Sequence, residues 1–277
     1  MTKQRLDIAL AQRKITASRS QSESWIKMGK VIVDGQVIKK PGFFVGPNSD
    51  IELTAKDQYV SRAGLKLESV VDIFKVDFKD KIVLDVGSST GGFTDYVLRN
   101  GTKKVYAVDV GTDQLHPTLR SDSRIELHEK TDIRDFLMNN KPDIVVIDVS
   151  FISLRQILPH IYNHLSDVHT QIIAMVKPQF EVHAENGRDM YAERSRSTNP
   201  SVNLGFRISR SNEKVLNKGI IKNDAMRRQI LKDFEDWSRN YFVIQNKRDS
   251  DVAGAKGNQE RFYLLQPIIQ GPTQNNI

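Results

Sequence analysis

Lys81 to Thr94 reads K-I-V-L-D-V-G-S-S-T-G-G-F-T, and the fold of the chain turns on it. Ile82, Val83 and Leu84 make a short apolar run between charge and glycine, the pattern of a buried parallel strand. Asp85 closes the run. Gly87, Gly91 and Gly92 then allow a tight turn and a close approach of main chain to a ligand. Phe93, Tyr96, Val97 and Leu98 follow with the spacing of a helix packed back onto a sheet. Strand, glycine turn and helix is how α/β proteins build nucleotide-like sites beyond the carboxyl ends of their strands.

A glycine turn alone is a weak signal, but two details sharpen this one. Ser89 stands where a dinucleotide fold needs the glycine that meets a pyrophosphate, so G-x-G-x-x-G is not satisfied. Asp85, two residues ahead of Gly87, is placed to accept hydrogen bonds from a cationic or hydroxyl-bearing ligand. The next strand-like run, K-V-Y-A-V-D-V from Lys104, carries Asp109 about twenty residues past the turn, where an acid binds a ribose diol. Ribose without pyrophosphate points to an adenosine-type cofactor such as S-adenosyl-L-methionine, and not to NAD.

Outward from this stretch, apolar runs alternate with helical patterns at Val105–Val110, Ile125–His128, Ile144–Asp148 and Ile172–Val176, which predicts a doubly wound, mostly parallel sheet. Asp132, in T-D-I-R, is placed to bond an adenine amino group. Asp148 and Lys177 close two further strands, and at a shared carboxyl edge they would form a catalytic set; residues that merely cap helices are the alternative. Lys66 lies among apolar residues in a helix ahead of the first strand, the usual place of a snorkelling surface lysine. From Glu181 to about Lys218 the periodicity fails, and the polar segment 184–215, with five arginines between 188 and 210, reads as a mobile insertion that orders on RNA. Met226 to Trp237 resumes as a helix, followed by strands at Tyr241–Ile244 and Phe262–Leu265, with Glu260 just before the second.

Residues 1–55 read as a separate module, 56–60 as a linker, 61–270 as the large domain and 271–277 as a tail. Two short helices, a hairpin around Asp34-Gly35 and a Pro41-Gly42 turn make up the module. Up to Lys40 it holds nine basic residues against three acidic. Arg5, Arg13, Arg19, Lys27 and Lys30 are expected to converge on one face suited to phosphates and to structured RNA; an ordinary solvated helical face is the other reading.

The 277 residues carry a formal net charge of +7 and no cysteine. The surplus favours a polyanionic partner, and the lack of thiols excludes disulfides, thiolate nucleophiles and cysteine-bound zinc. The six histidines have no paired metal-ligand spacing, so no metal is expected. The N-terminus has no apolar targeting segment and no run reaches the length of a membrane span, which predicts a cytoplasmic protein.

L-D-x-A-L-A-x-R, A-S-R-S, W-I-K-x-G-K-V-I-V-D-G and K-K-P-G together resemble an S4 RNA-binding domain. With Y-V-S-R-A-G-x-K-L, D-V-G-S-S-T-G-G-F-T, V-D-V-G, D-V-S-F-I-S-L, V-K-P-Q-F-E and G-N-Q-E, nearly the whole chain resembles the TlyA-type haemolysin and rRNA methyltransferase family. Its large domain is similar to the FtsJ-type ribose 2′-O-methyltransferases. The resemblance implies an α/β, Rossmann-like class I methyltransferase domain behind a small α+β S4 domain. It also implies 2′-O-methylation of cytidine in small- or large-subunit ribosomal RNA, using S-adenosyl-L-methionine; the protein is expected to be a monomer. The family's Lys-Asp-Lys-Glu pattern falls on Lys66, Asp148, Lys177 and Glu260, and its cofactor pattern on Gly87, Ser88, Gly91, Gly92 and Phe93 with Asp109 and Asp132. Lys177 would be the base, held by Asp148; Lys66 would orient the hydroxyl, itself oriented by Glu260. The connection after V-K-P-Q-F-E is longer than the family's, and Arg261 precedes Phe262 where the family more often has an aromatic residue at once. A membrane-active lysin, a non-catalytic assembly factor and a small-molecule methyltransferase are the competing classes; the basic N-terminal module argues against the last.

Overall fold

The computed structural model describes residues 3–16, 19–27, 29–54, 59–182, 220–221, 223–252, 254 and 257–269. The expected 184–215 insertion, the 271–277 tail and most of the 56–60 linker lie outside them.

In the N-terminal module, strand β1 (Gln4–Arg5) leads into helices α1 (Leu6–Gln12) and α2 (Arg19–Lys27). Strands β2 (Val31–Val33), β3 (Gln36–Val37), β4 (Phe44–Val45) and β5 (Ile51–Leu53) follow. β2 and β3 pair through the predicted hairpin, whose Asp34 and Gly35 both have positive φ, 48° and 81°, as a two-residue turn of matching twist requires. Leu6, Leu10, Trp25, Ile26, Val31 and Val33 pack as one cluster. That cluster does not stop at the module: Leu65 and Val252, from the large domain, are buried in it.

The large domain opens with α3 (Arg62–Phe74), whose N-terminus is capped by the Ser61 hydroxyl accepting the Ala63 N–H. Then come β6 (Ile82–Val86), α4 (Gly92–Arg99), β7 (Lys104–Val108), α5 (Pro117–Arg120), β8 (Ile125–His128) and β9 (Ile144–Ile147). A broken helical stretch over 154–165 contains α6 (Leu158–His160) between a 3-10 turn and a π turn. Pro159, which has no N–H to give a regular ladder, sits in its middle. β10 (Gln171–Val176), α7 (Pro178–Glu181), α8 (Asp224–Ser238), β11 (Phe242–Asp249) and β12 (Arg261–Pro267) complete the order.

Seven strands form one sheet in the order β11-β12-β10-β9-β6-β7-β8. β8, β7, β6, β9 and β10 are parallel, as expected, and β12 runs antiparallel between β10 and β11. Alternate residues of each strand enter opposite cores, as a pleat demands. Val83, Ile144, Val146, Ile173, Met175, Phe262 and Leu264 pack with Leu67, Val70, Phe74, Phe93 and Val97 of α3 and α4. Leu84, Val86, Val145, Ile147, Ile172, Ala174, Tyr263 and Leu265 pack with Leu158, Ile161, Leu231 and Phe234 on the other face. Removing one such buried leucine costs about 2–5 kcal/mol.

Candidate active site

Two adjoining cavities lie beyond the carboxyl ends of β6, β7 and β9. The larger, about 460 Å³, is lined by the turn after β6, by Asp109, by Thr131 to Ile133 and by Asp148 to Ile152. The smaller, about 140 Å³, is bounded by Ser61, Ala63, Ser88, Gly92, Phe93, Asp148, Ser150 and Lys177 among others. Gly87, Ser89, Asp148 and Ser150 face both. Gly87 has φ 81°, and a Cβ on it would stand 2.9 Å from the Asp148 carbonyl oxygen, so only glycine lets these two strand ends meet.

The residues singled out for a cofactor divide into two sets. Gly87, Ser88, Gly92 and Phe93 bound the small cavity, and Asp109 and Asp132 the large one. Asp109 accepts the Ser89 N–H at 2.8 Å and the Gly111 N–H at 2.7 Å, which ties the glycine turn to the end of β7 and leaves lone pairs on both oxygens for a diol. Asp132 is forked by Arg134, at 3.0 and 2.6 Å; that guanidinium holds its carboxyl below the ordinary range. Gly91 instead supplies the left-handed N-cap of α4, with φ 94°, behind the cavities.

Asp85 stands apart from the other cofactor candidates. It lines neither cavity. Pleat alternation turns it onto the face covered by α4, where it is wholly buried and accepts the Thr94 hydroxyl at 2.6 Å. Burial pushes its carboxyl up to about 7, a rise that the Thr94 bond only partly offsets.

The four expected catalytic residues form two ion pairs. Lys177 Nζ lies 2.7 Å from Asp148 Oδ1, and its directed hydrogen bond goes to Ser150 Oγ at 2.7 Å. Lys66 Nζ donates to Glu260 Oε2 at 2.6 Å, both side chains being nearly buried. Strand register explains the meeting. Val176 pairs with Arg261, so Lys177 and Glu260 are the next residues outward on neighbouring strands. Asp148, Lys177 and Glu260 each continue the alternation on the side of Val146, Met175 and Phe262, the face that α3 covers; α3 carries Lys66.

The five basic residues expected on one face of the N-terminal module are differently engaged. Arg13 donates to the carbonyls of Ser49, Gly46 and Pro47 at 2.8, 3.0 and 3.0 Å and so braces a turn of its own module. Arg5 and Arg19 both grip the buried Asp7, at 2.9 and 2.8 Å. Burial raises that carboxyl and the two guanidiniums outweigh it, so Asp7 titrates below its ordinary value. Both arginines remain solvent-accessible at 40% and 54%. Lys30 lies 3.9 Å from Glu68 of α3, and Lys27 is exposed in the last turn of α2.

Sequence reasoning passed over Ser150, Phe151 and Glu181. Phe151 is half exposed at the cleft with φ 68°. Glu181, at the end of α7, is buried and accepts the Ser153 hydroxyl at 2.6 Å and the Leu154 N–H at 2.8 Å, anchoring the loop that carries Ser150 and Phe151. The motifs D-V-S-F-I-S-L and V-K-P-Q-F-E contained this information, since each holds one half of the anchor.

The donor set suits an adenosine-type sulfonium cofactor. Ser88 Oγ is buried beside the small cavity with no hydrogen-bond partner among the described residues, as a site awaiting a polar ligand would leave it. Among the described residues no group of His, Cys, Asp or Glu could hold a metal ion, and no helix is long and apolar enough to cross a membrane.

Residues 59–266 match the FtsJ-like methyltransferase family and residues 4–51 the S4 domain. Hemolysin A of Brachyspira hyodysenteriae is 37% identical over 96% of this chain and 100% of its own. The 23S rRNA (cytidine-2'-O)-methyltransferase TlyA of Campylobacter jejuni is 36% identical over 74% of this chain and 70% of its own. The 16S/23S rRNA (cytidine-2'-O)-methyltransferase TlyA of Mycobacterium tuberculosis is 37% identical over 64% and 68%. A solved structure of a Streptococcus thermophilus protein that carries the hemolysin name superposes with a TM-score of 0.62, at 32% identity, covering 96% of this chain and 89% of that one.

Proposed function

The chain belongs to the FtsJ-like methyltransferase family and carries an S4 domain, and from that premise we propose that it methylates the ribose 2′-hydroxyl of cytidine in ribosomal RNA, using S-adenosyl-L-methionine. The observation that carries this reading is the pair of lysine–carboxylate contacts on one face of the sheet's carboxyl edge, beside a cavity suited to an adenosine cofactor. When bound, the cofactor supplies a methyl group on a sulfonium, which an oxygen nucleophile takes as the thioether leaves.

Every other part of the work falls to the chain. Asp109 would hold the cofactor's ribose diol, and the turn from Gly87 to Gly92 its neighbouring atoms. A 2′-hydroxyl is a poor nucleophile until it loses its proton, so a base must stand within hydrogen-bond reach. Lys177, once it has given its own proton to solvent, takes that proton; Asp148 stands beside the amine and is the counter-ion of the ammonium that results. Lys66, held by Glu260, donates to the ribose oxygen and stabilises charge developing there. Positioning supplies much of the rate.

Small and large ribosomal subunits, incubated with the protein and labelled S-adenosyl-L-methionine, will carry label on a cytidine ribose, recovered as a nuclease-resistant dinucleotide. Absence of label on both subunits and on free ribosomal RNA sinks the reading. Lys177→Ala will lower transfer at least about a hundredfold while calorimetric cofactor affinity stays at the wild-type value. Full activity in that variant removes Lys177 as the base. The same preparations will leave dye-loaded liposomes intact; leakage would favour the lytic reading that the hemolysin name suggests.

A further inference from the structure

Resting on that function, we infer that Ser150 is a positioning residue that aims the lone pair of Lys177 at the ribose hydroxyl. Ser150 lies outside the lysine and carboxylate set, yet its Oγ takes the Lys177 Nζ hydrogen bond at 2.7 Å while Asp148 Oδ1 sits 2.7 Å from the same nitrogen. It faces both cavities.

The geometry of an amine gives these two contacts a consequence. Neutral Nζ has one bond to Cε, two N–H bonds and one lone pair, in tetrahedral directions. One oxygen fixes one N–H and leaves the group free to rotate about the Cε–Nζ bond between two placements of the lone pair. Ser150 Oγ fixes one N–H, and Asp148 Oδ1, 2.7 Å away but accepting no directed hydrogen bond, draws the second N–H to its side by charge, which leaves the lone pair one direction. The proton from the 2′-hydroxyl then arrives at that lone pair. The resulting ammonium keeps its bond to Ser150 and its ion pair with Asp148, and the N–H it has gained points at the ribose oxygen the proton came from.

The support under Ser150 is built to hold it still. Phe151, the next residue, is in the left-handed region at φ 68°, a conformation that a bulky side chain adopts only where surroundings impose it. Glu181 anchors the residues that follow: wholly enclosed, it accepts from the Ser153 hydroxyl and the Leu154 N–H, with Arg155 Nε at 3.7 Å. Glu181 lies four residues beyond Lys177, so the base and the loop bearing its second acceptor are fastened to each other.

The test compares Ser150→Ala and Ser150→Thr with the wild-type protein on ribosomal substrate. Ser150 is exposed, so both variants should keep the wild-type melting temperature. Ser150→Ala should lower kcat roughly ten- to hundredfold, with KM for RNA and cofactor affinity unchanged, and Ser150→Thr, which keeps the hydroxyl, should recover most of the rate. Wild-type kcat in Ser150→Ala overturns the inference. So does a loss confined to KM, or a threonine variant as slow as the alanine one. The wild-type reaction separates the two levels: if it transfers methyl and Ser150→Ala matches it, only the role of Ser150 falls, whereas a silent wild type removes the function beneath it.

Discussion

Asp85 and Asp148 both come at the end of an apolar run, yet they meet opposite surroundings. Asp85 is still inside β6, in register with Val146 and beneath α4; Asp148, on the same face of the sheet, lies two residues nearer the carboxyl edge, one residue past β9, and faces the cavities. The sequence contains that distinction only as distance from the strand end, which has to be known to within one or two residues. Strand ends are where local propensity is weakest. The burial of Asp85 has a measurable result. Its carboxyl titrates at about 7 in the folded protein against an ordinary 3.8, so the folded state binds the proton more tightly than the unfolded one. Stability therefore falls as pH rises between those two values and levels off above them. Asp85→Asn keeps the oxygen that accepts from Thr94 and removes the charge. Denaturant melts across that window should show the variant gaining on the wild type as pH rises; a constant difference would discard the assignment.

At the scale of elements, the parallel strands were legible because each is a run of apolar residues bounded by charge or glycine. β11 was read too short. It runs to Asp249 with only every second residue partly covered, since it is the sheet's outer strand and its polar tail reads like a loop. The bracing role of Arg13 was not legible at all, because its acceptors lie 33 to 36 positions away. The junction between α3 and α4 is equally non-local. A methyl group on Gly92 would run into Ser61 Oγ and the Ala63 Cβ, the two residues that cap α3 and wall the small cavity. Gly92→Ala should cost about 1–3 kcal/mol by overpacking and weaken cofactor binding as the α3 terminus is pushed aside. Thermal melts and calorimetry read the two effects; an unchanged affinity would show that α3 gives way elsewhere.

Across the whole molecule, the linker and the module boundary read from composition describe a chain in two parts, whereas the apolar core of the N-terminal module is completed by Leu65 and Val252. Those two residues neighbour the site closely: Leu65 precedes Lys66, and Val252 lies on the connection that ends at Glu260. Trp25 is buried in the same cluster, and the other tryptophan, Trp237, is on α8. In a Trp237→Phe background, Trp25 fluorescence should therefore melt earlier when Leu65 is changed to Ala, by an amount matching about 2–5 kcal/mol. A Trp25 transition indifferent to residue 65 would mean the two parts unfold independently.

The reversed direction of β12 bears on how the protein comes into being. Parallel strands deliver their last residues to the carboxyl edge, but β12 delivers its first, Arg261, which pairs with Val176 and directly follows Glu260. Translation thus finishes the glycine turn, Asp148 and Lys177 long before the partner of Lys66 has been made. Until that final strand emerges, one flank of β10 has its amides and carbonyls unpaired, and the ammonium of Lys66 waits without a carboxylate. In a nascent chain the residues around the glycine turn and the Asp148–Lys177 pair are all present well before the Lys66–Glu260 pair can close.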